Sequence, residues 1–270
     1  MIWTLYKGAL MPDVEPHVIV NVTIDNAKKL LKNYKSAMFV LWYSDFNKVD
    51  TCEGYFVIKQ NIISLNELSS NTRNQIRKAL SCCVTKIVSK EVIASDDRYE
   101  TFTKHNLRFT KNVESKSSFY NHILNVKDNI EFLACFNKET GKLIGYMENK
   151  VGEAVNYSIM KTNTDYRKLY PNYAMFYNAT NHYILNGKLY VSDGFRSLDH
   201  HSNIQDLLID KFKFKKAYTN VNIYYRWYFG FLVKLLYPLR HIITKIIHKS
   251  SLQKIFTLES LRRNSLISCL

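Results

Sequence analysis

The densest chemistry in the chain lies in one run, Asp193-Gly194-Phe195-Arg196-Ser197-Leu198-Asp199-His200-His201-Ser202-Asn203. Its carboxylates can act as bases, its imidazoles can accept and return protons near neutral pH, and its guanidinium can grip a carboxylate or a phosphate. Residues 188–192 before it read as a strand and residues 202–212 after it as a helix. The run therefore falls at a strand-to-helix junction, where α/β sheets place ligands and where a helix start offers unpaired N–H groups to an anion. Asp193 is the choice for a base or for orienting a catalytic His200. Arg196 and Ser197 are assigned to substrate, and Asn203 to tying backbone or a donor amide into place. Taken singly, each residue also fits a turn with caps: Asp193-Gly194 reverses the chain and Ser202 caps the helix.

Further candidates lie outside this run. Glu148 and Tyr157, on predicted strands 142–148 and 154–161, can face a cleft and touch substrate, or be ordinary hairpin surface and core. Arg73 and Arg77 stand four apart on a predicted helix ending near Cys82, so they share one face. With Lys78 they can hold a phosphate of a cofactor or form a solvated basic face. Five irregularly spaced cysteines give neither a disulfide framework nor a zinc site, and no metal site is expected. Phosphate-binding Gly-rich loops, a Gly-x-Ser-x-Gly elbow and a metal-binding His-Glu pair are absent from the sequence. Kinase, dinucleotide-dehydrogenase and serine-hydrolase chemistry has no support.

The elements that must position these groups follow from periodicity. Strands are predicted at 17–23, 37–43, 55–59 and 84–88, and helices at 25–34, 69–82, 95–109 and 116–124. The second half has a firmer rhythm. Strands 131–136 and 142–148 flank Asn137-Lys138-Glu139-Thr140-Gly141, a hairpin signal, and strand 154–161 continues the meander. Pro171 opens a helix to about residue 184. The strand, cluster and helix described above come next, and strand 215–225 closes the body.

Charge divides the chain unevenly. The net charge is +15, and residues 211–270 hold twelve Lys or Arg against one acid, Glu259, leaving +4 for the rest. Such asymmetry implies an anionic partner. Residues 227–247 place Lys234, His241 and Lys245 opposite a broad apolar arc, with Trp227 and Tyr228 at the start. The longest uncharged run there is too short to span about 30 Å of hydrocarbon. This segment reads as an interfacial helix bent near Pro238, or as a helix packed on the body. The N-terminus lacks the features of a signal peptide, and the cysteine usage suits a reducing compartment. A cytoplasmic protein, peripheral on the inner face of the cell membrane, is the expectation.

The order strand, hairpin, strand, Pro-initiated helix, strand, helix, closing strand resembles the GNAT superfamily of acyltransferases. Asn203-Ile204-Gln205-Asp206-Leu207-Leu208-Ile209-Asp210-Lys211-Phe212-Lys213-Phe214 is similar to that superfamily's late helix. Residues 69–80, 193–203 and 211–218 resemble its Fem-type branch of envelope and polysaccharide pathways. The resemblance implies an α/β fold with a GNAT-like mixed central sheet flanked by helices. It implies a GNAT-like body over 1–225, with 1–125 as an incomplete extra lobe; charge and periodicity make 226–270 a basic amphipathic extension that lies on a membrane or packs on the body. It also implies transfer of an acyl group from acyl-CoA, as a co-substrate and not a tightly bound cofactor, to an amine or hydroxyl of an envelope or sugar precursor. The superfamily's Gln/Arg-x-x-Gly-x-Gly/Ala signature is missing between Lys161 and Tyr173. A charged tRNA is therefore the alternative donor, and a non-catalytic membrane-associated interaction protein is the other alternative.

Overall fold

The computed structural model describes residues 2–49, 52–198, 203–247 and 250–267. The chain opens with a hairpin, β1 (Trp3–Tyr6) and β2 (Ala9–Pro12). Lys7 and Gly8 between them take φ of 48° and 85°, the two-residue left-handed turn whose twist matches antiparallel strands. Residues 17–23, predicted as a strand, form none. Val20 is buried there and Ile19 exposed, but alternation without a partner makes no ladder. Helix α1 (Ile24–Asn33) starts one residue before the expected 25–34 because Thr23 caps it, accepting from Asn26 N–H at 3.2 Å. Strands β3 (Phe39–Lys48) and β4 (Tyr55–Lys59) follow.

Ser69 caps α2 (Ser70–Cys82), which runs into β5 (Cys83–Val88). Three helices come next: α3 (Lys90–Ile93), α4 (Asp96–Asn106) and α5 (Lys116–Leu124). The meander is β6 (Ile130–Asn137), β7 (Leu143–Val151) and β8 (Val155–Thr162). Helix α6 (Pro171–Leu185) leads to β9 (Val191–Phe195), α7 (Ile204–Phe212) and β10 (Lys215–Tyr225). Helices α8 (Trp227–Leu236), α9 (Arg240–Ile246) and α10 (Ser250–Ile267) end the chain.

These elements form two compact units. One comprises Met1–Val57, Phe195–Asp206 and Lys216–Leu270, the other Ile58–Gly194 and Leu207–Lys215. The division thus falls within β4, β9, α7 and β10.

In the first unit the strand order is β1-β2-β3-β10-β4, with β2 and β3 parallel and β3 and β10 antiparallel. The pleat sends Leu10 and Val40 to a core with Ala27 and Leu31 of α1. Their neighbours Ala9, Phe39 and Leu41 meet Leu258 and Leu261 of α10. Glu259, the one acid in residues 211–270, is fully buried and accepts from Arg262, Arg263 and the Tyr225 hydroxyl at 2.7–2.9 Å. The last helix is therefore core, held by an ion cluster as well as by apolar packing.

In the second unit the order is β9-β8-β7-β6-β5, with β8 and β9 parallel and the others antiparallel. Phe132, Ala134 and Tyr146 meet Ile93, Phe119 and Ile123 of α3 and α5. The alternate residues face α6, which comes so near that a Cβ on Gly145 would lie 2.9 Å from Met175 Cε. Both units have mixed sheets with helices on the faces, the α/β class expected from the sequence.

Substituting core and surface positions of the C-terminal segment separates packing from display. Leu261→Ala is expected to lower denaturant stability by about 2–5 kcal/mol. Ile242→Ala, at an exposed position, is expected to change it by about 0.5 kcal/mol or less. Urea titrations followed by circular dichroism measure both.

Candidate functional site

The second unit holds a cavity of about 520 Å³ between α4, α5 and the β7–β8 hairpin. Its polar lining includes Asn106, Glu114, His122, Glu148, Ser158 and Lys161; Phe102, Phe119, Tyr146 and Ile159 supply apolar wall. An apolar pocket with a few convergent polar groups is the usual form of a small-ligand site.

Glu148 anchors the polar side. It is buried on β7 and accepts from Arg98 Nη2 of α4 at 2.6 Å. Arg98 is itself fully buried, its guanidinium 4.1 Å from the ring centre of Tyr146 and 5.1 Å from those of Phe119 and Phe132. Three aromatic faces stand in for lost water around the cation. Its Nε and Nη1 are buried with no hydrogen-bond partner among the described residues. Burial raises the Glu148 carboxyl above the usual carboxylate range, with Arg98 opposing. Burial likewise lowers the Lys161 ammonium, whose Nζ donates to Asn106 Oδ1 at 2.9 Å. A carboxylate raised and an ammonium lowered, on neighbouring strands, mark this lining as the more buried, polar part of the cavity.

The strand β8 supplies side chains to the cavity and an open stretch of backbone beside it. It pairs with β9 only at Val155–Val191 and Asn156–Ser192; beyond that the two strands part. Opposite β7 its register shifts between Glu148–Ile159 and Asn149–Tyr157, which leaves Ser158 as an extra, bulged residue. A bulge re-aims backbone and side chain locally. Ser158 to Lys161 line the cavity just past the point where β9 departs.

Asp193 lies half-buried at that departure, followed by Gly194 at φ 83°. Burial pushes the Tyr157 phenol up, and the Asp193 charge adds a smaller push. Tyr157 does not line the cavity: it is buried toward α6, its hydroxyl 2.9 Å from Thr180 Oγ1. Arg196, Ser197 and Asn203 belong to the first unit, so the predicted run is shared between two units. There Arg196 donates through Nη1 to Glu53 O at 2.8 Å and stands 5.5 Å from the Tyr55 ring centre. Ser197 N–H donates to Gln205 Oε1, Gln205 Nε2 donates to Phe195 O, and Asn203 is exposed. His200 lies outside the described residues.

Arg73 and Arg77 sit on α2, which packs against α6 and the turn Thr164–Leu169. Lys78 stands 5.6 Å from the ring centre of Tyr170, the left-handed residue that precedes α6. Of the expected residues, Glu148 reaches the cavity, Asp193 lies where β9 leaves β8, and the two arginines belong to the helix beside the start of α6. Sequence reasoning missed Arg98, Tyr146 and Lys161. Arg98 follows two aspartates in a stretch that reads as solvated helix. The available signal was the spacing of Arg98 and Thr101 with Phe102, which puts polar side chains on the face that is buried.

No protein-family model matches the chain, and no curated protein matches its sequence. Solved structures match by fold. FemX aligns with a TM-score of 0.52 at 10% identity, over 79% of this chain and 79% of FemX. L-PGS from Bacillus licheniformis gives 0.48 at 10% identity, over 92% of this chain and 86% of that one. A GCN5-related N-acetyltransferase-like protein from Streptococcus suis gives 0.34 at 13% identity, over 81% and 79%. The FemX likeness shows a shared fold, a mixed central sheet flanked by helices, as the order of elements predicts.

His105, on the inner side of α4, gives a test of packing beside the cavity. Its Nδ1 accepts from Thr162 N–H at 3.2 Å, and burial, with Lys161 and Arg108 adding repulsion, lowers its pKa from 6.5 to about 4. The unfolded chain therefore binds the proton first, so this contribution is complete above about pH 6.5 and fades as pH falls toward about 4. Wild type is expected to lose more stability between about pH 7 and pH 5 than His105→Asn, whose amide keeps an acceptor for Thr162. Urea midpoints at the two pH values decide it.

Proposed function

We propose that the chain transfers an acyl group from acyl-CoA to an amine or hydroxyl of an envelope or polysaccharide precursor, with the acceptor in the second unit's cavity. The observation that carries this reading is the parting of β8 from β9 beside a bulge and a cavity that holds a raised carboxylate. In acyl transfer to an amine, the nitrogen attacks the thioester carbonyl. The C–N bond forms, the C–S bond breaks, the nitrogen gives up a proton, and the departing thiolate takes one. The freed edge of β8 supplies N–H donors of the kind that stabilise the oxyanion formed on the way. Glu148 faces the acceptor and Asp193 is the proton acceptor at the strand junction; the two serve as binding and basic groups respectively. Arg73 and Arg77, on the helix whose Lys78 stands by Tyr170 at the start of α6, suit the phosphates of the donor.

A second donor, an aminoacyl group on a charged tRNA, is favoured by two features. The segment before α6 is a glycine-free 3-10 turn, Thr164–Leu169, capped by Tyr170 at φ 56°. It lacks the glycines that let backbone approach a pyrophosphate closely. The net charge of +15 suits a polynucleotide donor.

Thermal shift separates these readings. Under the first, acyl-CoA at about a hundred times its Kd raises stability by about 2.7 kcal/mol. Ser158→Trp, which fills the mouth of the cavity, is expected to abolish transfer while leaving the circular dichroism spectrum unchanged. Asp193→Asn is expected to slow turnover by on the order of a hundredfold. Absence of any shift with acyl-CoAs, together with salt-sensitive binding of charged tRNA, would move the assignment to the second donor.

A further inference from the structure

Helices α8 and α9, both in the first unit, carry a row of large apolar side chains on their outer side. Trp227, Phe231 and Leu235 are 83%, 67% and 60% exposed, and Leu239 and Ile242 are more than half exposed. The spacing of four from Trp227 to Leu239 makes one stripe, which the turn Tyr237–Leu239 carries into α9. The same segment folds through a different side: Gly230, Val233 and Tyr237 are buried. The exposed row is thus not a core face turned outward, because the core face is already in use.

The charges around the row have one sign. From residue 226 to residue 258 the sequence holds no Asp or Glu. Lys234 and Lys245 are exposed along α8 and α9. At the other end, Arg226 donates to the carbonyls of Leu31, Tyr34, Lys35 and Ala37 at 2.6–3.3 Å. That clasp fixes the end of α1 beside the start of α8, so the exposed Lys32 and Lys35 stand at the Trp227 end. No helix among the described residues is long and apolar enough to cross a membrane.

We infer that the α8–α9 row docks on the surface of an anionic lipid bilayer, its apolar side chains entering the boundary between headgroups and acyl chains. An apolar stripe edged by lysines and free of acids matches that surface in both of its layers: hydrocarbon under the stripe, lipid phosphates beside the lysines. This docking stands independently of the acyl-transfer reading, since it uses residues of the first unit alone.

The test uses the full-length chain in flotation with phosphatidylcholine vesicles, with and without phosphatidylglycerol. Binding to the phosphatidylglycerol vesicles is expected, weakened by salt, with a blue shift of tryptophan emission that Trp227→Phe removes. Phe231→Glu combined with Leu235→Glu is expected to cut partitioning by about tenfold or more, with an unchanged melting temperature because both side chains are exposed. Lys234→Glu with Lys245→Glu is expected to weaken binding to anionic vesicles. The inference is overturned if wild type ignores phosphatidylglycerol vesicles or if the apolar double variant binds them as well as wild type. It is equally overturned if light scattering shows a dimer that the apolar double variant dissociates while vesicle binding stays the same.

Discussion

A buried guanidinium clasping a buried carboxylate organises the second unit. Arg98 cannot leave the protein interior without exposing the three rings that surround it, and Glu148 cannot turn from the cation without losing its 2.6 Å contact. The pair joins α4 to β7 and so sets how far α4 stands off the β7–β8 hairpin. That separation is the cavity. Taking two ions out of water costs several kcal/mol each, and the pair recovers this only while both members remain. Such a contact is a weak source of net stability and a strong source of geometric definition.

Around that fixed point β8 does two things. On one side it stays laddered to β7, which carries Glu148; on the other it leaves β9 after two residue pairs. The bulge at Ser158 lies between these behaviours. A strand held on one edge and open on the other presents backbone N–H groups in a rigid array, which loops do not readily achieve. Helix α6 braces the opposite face, and Gly145 lets it approach closely enough to do so.

Local signals made much of this legible. Pro171 marked the start of α6, Ser69 marked α2, and the Asn137–Gly141 turn marked the β6–β7 hairpin, with Gly141 at φ 70°. Strand β9 is expected over 188–192 but runs Val191–Phe195; Leu189 and Tyr190 already bond to Glu153 and Val155 ahead of it, so the expected range marks the approach to the ladder rather than the strand itself. The opening hairpin is not among the expected elements: its strands are four residues each and its turn, Lys7-Gly8, only two. The candidate site was legible only where one residue carried the signal. Glu148 is named from its place on a strand that can face a cleft, whereas Arg98 gives no such sign, since its partner lies 50 positions away. Periodicity is blind to a charge whose burial depends on such a contact. The run from Asp193 to Asn203 was conspicuous for its composition, yet the division between the units falls within it.

The central claim, that the Arg98–Glu148 contact shapes the cavity, is tested most directly by a double-mutant cycle in urea. Arg98→Met and Glu148→Gln each strand one member of the pair. The account predicts that each single change costs about 3–5 kcal/mol and that the double variant costs clearly less than the two together. Two small costs that simply add would show that the contact holds nothing in place, and would contradict the account.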